Sequence, residues 1–233
     1  MAAGSTRKTI RDSIYSAILD KIQYCEWVPT TPISETSLSE MFQVSRTPVR
    51  EALFLLSRDG FVDIYPQSGS YVSKIDIKRI REILYLRYHV EKPILMELAR
   101  KKIPMPESVE KLLLLEEFAA RKENWAECVR MDYTFHEELF MLADYREIWK
   151  LIRMELPHYT RYRFFDMNYL EFKGPVPRTL QEHTQIMTCI TEGDLDGLSK
   201  VLDSHYDYTL TMKEYKLEQI RHHPDYFVNL EAL

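Results

Sequence analysis

The stretch Leu38-Ser39-Glu40-Met41-Phe42-Gln43-Val44-Ser45-Arg46-Thr47-Pro48-Val49-Arg50-Glu51-Ala52-Leu53-Phe54-Leu55-Leu56 decides how the first third of this chain folds. It reads as two short helices joined by a tight turn. The second opens on Ser45, whose hydroxyl is expected to cap the first amides of the helix. Pro48 falls in the first turn, where a missing N–H costs nothing. Gly60 supplies the stop. Along this helix Val49, Ala52, Leu53 and Leu56 share one face at three-four spacing, which leaves Arg46, Thr47 and Arg50 on the opposite side near its N-terminus. In a helix-turn-helix those are the positions that enter a major groove. Arginine there can fork onto a guanine edge or clamp a phosphate, and Thr47 can reach a phosphate or a thymine methyl. A solvated charged face would show the same residues, so the flanking sequence has to decide.

After Gly60 the period changes from helical to alternating. Phe61 to Tyr65, then Pro66-Gln67-Ser68-Gly69, then Ser70 to Lys74 read as a hairpin with a flexible tip, the wing that follows a recognition helix. Upstream, Ile10, Ile14, Ile18, Leu19 and Ile22 mark an amphipathic helix that closes a small core against the turn and the hairpin. Residues 1–75 therefore read as a winged helix-turn-helix, and residues 76–233 as a second domain.

This head is electrically neutral. Residues 1–75 carry eight Lys/Arg and eight Asp/Glu, so the net charge of −5 falls on the remainder. A neutral head is no nonspecific coater of nucleic acid. It argues for a few placed arginines and for two copies acting together. A hydrophobic content of 45% is enough for packed cores, and no apolar run reaches membrane-spanning length. The N-terminal Met-Ala-Ala-Gly-Ser-Thr-Arg-Lys lacks the apolar stretch of a signal peptide. Scattered Cys25, Cys128 and Cys189 fit reduced thiols, and the expectation is a cytoplasmic protein without a membrane anchor.

From Ile75 onward the period is helical, with breaks at 104–106, 122–124, 174–177 and 193–194. Helices are expected near 76–101, 107–121, 125–142, 145–170 (bent near Pro157), 178–192 and 194–220, forming an all-α antiparallel bundle. The fold class is mainly α. Within the bundle, polar residues interrupt apolar stripes. Asp132 and His136 share a face with Cys128, Phe135 and Leu139. His183 lies with Leu180, Met187 and Ile190, and His205 with Leu198, Val201, Leu202 and Met212. An Asp-x-x-x-His pair is a natural two-ligand element, and two more imidazoles complete a donor set suited to zinc, nickel or manganese. Each histidine alone could instead be a core residue bonded to a backbone carbonyl, whereas burying all four groups without partners would be costly. Arg87, with Glu91, interrupts the broad apolar face of Ile80, Ile83, Leu84, Val90, Ile94 and Leu98. It is either one half of an internal ion pair or a guanidinium able to fork onto a carboxylate. Tyr159, Tyr162, Phe164, Phe165 and Tyr169 could line a cavity, although core packing also explains them. His89, His158, His222 and His223 carry no such pattern.

Val44-Ser45-Arg46-Thr47-Pro48-Val49-Arg50-Glu51-Ala52-Leu53 resembles the signature of GntR-superfamily bacterial transcription regulators, with the match running from Ile10 through Val72. The resemblance implies that Arg46, Thr47 and Arg50 contact double-stranded operator DNA and that Gly69 at the wing tip approaches the backbone or minor groove. Two departures stand out. The loop that often carries Pro-Gly is Trp27-Val28-Pro29-Thr30-Thr31-Pro32, and a basic position of some relatives is Thr36. The wing tip also lacks a cation, which implies a shallow salt dependence. Residues 76–215 resemble the FCD effector domain of the FadR-like subfamily. There Asp132, His136, His183 and His205 would hold a divalent metal at the base of a cavity, and Arg87 would take a small organic acid effector. The chain is thus expected to be a homodimeric, ligand-responsive regulator and not an enzyme. A metal-dependent hydrolase or isomerase fused to a DNA-binding domain is the alternative reading, since such a cluster can activate water. A purely structural dimerisation domain would leave the four inward polar groups unexplained.

Overall fold

The computed structural model describes residues 9–169, 178–210 and 220–232, and side chains at 9–165, 178–206 and 220–231. The chain divides into two compact units, residues 1–75 with 223–228, and residues 76–222 with 229–233.

In the first unit α1 (Ile10–Gln23) begins on a capping box, in which Thr9 Oγ1 accepts from the Asp12 amide and Asp12 returns the bond to the Thr9 amide. Its Ile14, Ile18 and Ile22 are buried and meet Leu38 of α2 (Glu35–Phe42) and Val49, Ala52, Leu53 and Leu56 of α3 (Arg46–Arg58) in one core. Ser34 caps α2, and Gln43 in the left-handed region ends it, turning the chain into α3. Ser45 stands at the N-cap of α3 but makes no side-chain capping bond. The capping expectation is therefore corrected. The first-turn amides lie at an exposed end beside Arg46 and Thr47, where water can satisfy them.

Past Gly60, which takes a φ of +85°, β2 (Val62–Tyr65) and β3 (Gly69–Val72) form the expected hairpin with Tyr65 opposite Gly69. A strand too short for the sequence to reveal, β1 (Pro32–Ile33), joins it, giving the antiparallel order β1-β3-β2. Phe61, Val62 and Val72 seal the sheet onto the helical core. Tyr15 donates to Asp59 at 2.8 Å and ties α1 to the end of α3. A second two-stranded ladder pairs β4 (Ile75–Asp76) with β5 (Phe227–Val228), and the Ile75 amide donates to the Tyr226 carbonyl.

The second unit is all helical apart from its edges. α4 (Ile77–Arg100) starts on Asp76, which accepts from the amides of Lys78 and Arg79. It is followed by α5 (Glu107–Arg121), α6 (Trp125–Leu142), α7 (Arg146–Tyr169), α8 (Arg178–Glu192) and α9 (Leu195–Leu210). α5 packs on α6, α6 on α7, α8 on α9, and α4 runs against α6, α7, α8 and α9. That central place makes α4 the shared wall of the bundle, which is why ten of its residues are buried, Arg87 and Glu91 among them. α7 is assigned as one helix through Pro157, and α4 likewise through Pro93. The expected continuation of the last helix over 211–219, the break at 174–177, and the side chains of Tyr169 and Met212 lie outside the described residues.

Candidate functional site

The head presents Arg46, Thr47 and Arg50 on the exposed face of α3, while the three-four stripe of that helix is buried. Gly69 is exposed at the hairpin and has a φ of +109°, a conformation that side chains rarely adopt. Thr47 and Gly69 thus sit where a duplex can reach them. Arg50 carries a contact that the sequence did not announce. Its Nε lies 2.6 Å from Glu35 Oε2 at the start of α2. The arginine side chain remains 66% exposed, so this is a surface pair that a competing partner can displace at little cost.

In the helical unit the three inward histidines meet, and Asp132 adjoins them at His183. α6 supplies Asp132 and His136, α8 supplies His183, and α9 supplies His205, all buried. His136, His183 and His205 each offer a ring nitrogen within 4.8 Å of the others. Asp132 Oδ1 lies 3.6 Å from His183 Nε2, and the same oxygen is 3.6 Å from Arg163. Bonds of about 2.1 Å to a tetrahedral zinc place ligand atoms about 3.4 Å apart, so donors at these separations are of the order a metal site needs.

Three carboxylates that the sequence reading did not assign to the cluster stand behind the imidazoles. Glu116 of α5 lies 3.3 Å from His183 Nδ1, and Glu182 of α8 lies 3.0 Å from His205 Nδ1. Glu91 Oε2 of α4 sits 2.7 Å from His136 Nδ1 without forming a hydrogen bond. Every Nδ1 thus faces an acid. The Nε2 atoms of His136 and His183 have no hydrogen-bond partner, an arrangement that suits ligation through Nε2 with the tautomer fixed from behind. Glu116 was detectable in principle, since it interrupts the apolar run Val109, Leu113, Ala120 at helical spacing just as Asp132 does in α6. Glu182 gave no such signal, because it adjoins His183 and meets His205 only through the packing of α8 on α9.

The electrostatics follow from this pairing. Burial pushes His205 down to about 4 despite Glu182, and burial also lowers His136 against the pull of Glu91. These two rings are therefore neutral at pH 7, the state in which imidazole binds metal. For His183 burial works the same way, but Glu116 together with Asp132 outweighs it and raises the ring above its ordinary value. Burial opposes ionisation of Asp132 too, yet Arg163 and the nearby histidines hold its carboxyl well below the usual range.

Arg87 is 2% exposed, and its Nε lies 2.6 Å from Glu91 Oε1. The internal ion pair is thus present. The guanidinium lies between the rings of Tyr159 and Tyr206, 5.2 and 5.6 Å from their centroids. Burial works against this cation, but Glu91, Tyr206, Tyr159 and Asp132 together outweigh it and keep Arg87 charged. Arg87 also lines a narrow cavity with Asp132, Tyr133, Trp149, Tyr159 and Arg163, with about 10 Å³ of room for a water centre. That is space for roughly one water molecule. Tyr162 and Phe165 are core residues. His89 donates to the Tyr85 carbonyl and His223 stacks on Tyr226, both outside the cluster.

A winged helix-turn-helix with an exposed arginine face, followed by a helical bundle with a buried polar cluster, is the architecture of a two-domain DNA-binding regulator. Residues 10–72 match the family of bacterial regulatory proteins known as gntR, and residues 82–208 match the FCD domain. The chain belongs to the GntR family of bacterial transcription regulators, in its FCD-containing, FadR-like branch. It is 29% identical to the HTH-type transcriptional repressor RspR of Escherichia coli K12 over 84% of this chain and 85% of that one. It is also 29% identical to an HTH-type transcriptional regulator in an unstable DNA locus of Streptomyces ambofaciens, over 97% and 92%. Among solved structures, a GntR regulator from Rhodococcus sp. RHA1 superposes with a TM-score of 0.70 at 20% identity, covering 87% of this chain and 96% of that one. E. coli McbR/YncC gives 0.68 at 16% identity, covering 92% and 99%. At such identities these structures establish the fold alone. The protein is a transcriptional regulator and not an enzyme, so the hydrolase and isomerase alternative is set aside. Among the described residues no helix is long and apolar enough to cross a membrane.

Proposed function

We propose that the helical domain binds one divalent metal through Asp132, His136, His183 and His205, with zinc, nickel or manganese as the candidates. Arg87 and the metal then take a small organic acid, and its binding alters the affinity of a homodimer for operator DNA. Arg46, Thr47 and Arg50, with Gly69 at the wing, contact that operator. The observation that carries this reading is the convergence of three buried histidines, each with Nδ1 facing a glutamate and with two Nε2 atoms lacking hydrogen bonds. Buried imidazoles without a ligand would leave those atoms uncompensated. When bound, the metal supplies a Lewis-acidic centre for an effector oxygen. The chain itself supplies the donor set, the fixed tautomers and the guanidinium.

The narrow cavity beside Arg87 gives the switch a physical form. An acid cannot enter about 10 Å³ without moving Tyr159, Trp149 or their neighbours, so effector binding favours an opened arrangement over the closed one. Two heads in one dimer then change their readiness for paired half-sites. A repressor is the favoured sense, because RspR carries that name.

Metal content tests the centre. Protein purified without chelator is expected to carry about one metal per chain by elemental analysis, and His183→Ala to lose it. A metal-free wild type would overturn the assignment.

A further inference from the structure

Glu91 touches both halves of the proposed sensor. Its side chain is 1% exposed. One oxygen, Oε1, lies 2.6 Å from Arg87 Nε, and the other, Oε2, lies 2.7 Å from His136 Nδ1. The two contacts use different oxygens of one buried carboxylate, so whatever draws on one changes the other. The Arg87 guanidinium and the His136 imidazole are the groups that contact its two oxygens. Burial alone would favour the neutral acid, and these two neighbours keep Glu91 ionised. Glu182 forms a similar chain from Arg178 to His205, but Arg178 is 40% exposed and also donates to Ser204. Water can replace what Arg178 gives. Nothing from solvent replaces Arg87 in the buried pair.

We propose that Glu91 is a positioning residue that couples the effector arginine to the metal ligand His136. In the closed state Arg87 holds Oε1 and draws electron density from the carboxylate. A carboxylate arriving at Arg87 shares the guanidinium and loosens that hold. Glu91 then turns more fully to the Nδ1–H of His136, making Nε2 a better donor to the metal. By linkage, metal bound at Nε2 raises the affinity of Arg87 for an acid by the same factor. The inference rests on the metal and Arg87 assignments of the proposed function and adds the element that connects them. The sequence contained both members of the i, i+4 pair but not the third. His136 lies on another helix, and only the packing of α6 against α4 brings it to the second oxygen.

Zinc alone tests this without knowledge of the effector. Affinity is read by competition with a chromophoric chelator for wild type, Glu91→Gln, Arg87→Lys and the double variant. Arg87→Lys keeps the positive charge and removes the planar fork. Glu91→Gln is expected to weaken zinc by about 10- to 100-fold, the usual effect of losing a group behind a ligand. Arg87→Lys is expected to tighten zinc by about threefold in the presence of Glu91 and to leave it unchanged in the Glu91→Gln background, because contacting residues couple non-additively. Equal effects of Arg87→Lys in both backgrounds, or none in the wild-type background, would overturn the proposal. Should Glu91→Gln not fold, nitrogen NMR of the histidines in zinc-loaded wild type decides. Zinc on His136 Nε2 with Nδ1 protonated is expected, and zinc on Nδ1 removes Glu91 from the role. A wild type that takes up no zinc would instead sink the metal assignment itself, a separate outcome.

Discussion

Two arginine–glutamate pairs of identical length hold opposite meanings in this molecule. Arg50 Nε lies 2.6 Å from Glu35 on the exposed face of the head, and Arg87 Nε lies 2.6 Å from Glu91 inside the bundle. The first arginine side chain is 66% exposed and the second 3%. Exposed pairs contribute about 0–1 kcal/mol, because water solvates each partner nearly as well as they solvate each other. A buried pair cannot be opened cheaply, since removing one partner strands a charge. Distance therefore says little about what a pair does. The surface pair leaves an arginine side chain open to solvent on α3, whereas the buried pair fixes two groups relative to each other and to a third.

Replacing one partner in each pair should separate them most sharply. Glu91→Ala is expected to destabilise the protein by about 3–5 kcal/mol, while Glu35→Ala costs at most about 1 kcal/mol, both read by denaturant unfolding. Similar losses at the two positions would break the comparison. A smaller effect concerns the DNA face. Arg46→Ala is expected to weaken specific operator binding by about 1–3 kcal/mol in fluorescence anisotropy, with the unfolding midpoint unchanged. Unaltered binding would move the recognition surface away from the start of α3.

The two regions also differ in how far the sequence exposes them. The head is built from local patterns: the apolar stripe of α3, the stop at Gly60 and the alternating hairpin each follow from a few adjacent residues, and each appears in the structure. What escaped there was a matter of rotamers and short pairings. Ser45 does not make the capping bond expected of it, Arg50 finds Glu35 on the preceding helix, and β1 has only two residues. In the bundle, interruptions of apolar stripes marked Asp132, His136, His183, His205 and Arg87 as inward, and all five are buried. Periodicity places a residue on one face of one helix, but it does not say which oxygen on a second helix meets which nitrogen on a third. Glu116 and Glu182 behind the histidines, and the second contact of Glu91, therefore needed the packing of α5, α8 and α4 to become visible.

The central claim is that the buried cluster holds an organic acid through a metal and Arg87. It is tested most directly by thermal unfolding of the full chain across a panel of small carboxylic acids, with zinc, nickel or manganese present and after chelation. A ligand that binds the folded state raises the midpoint by mass action. The account predicts that at least one acid raises the midpoint of the metal-loaded protein and fails to do so once the metal is removed. Stabilisation by an acid that is indifferent to metal, or none by any acid with any of the three metals, would contradict it.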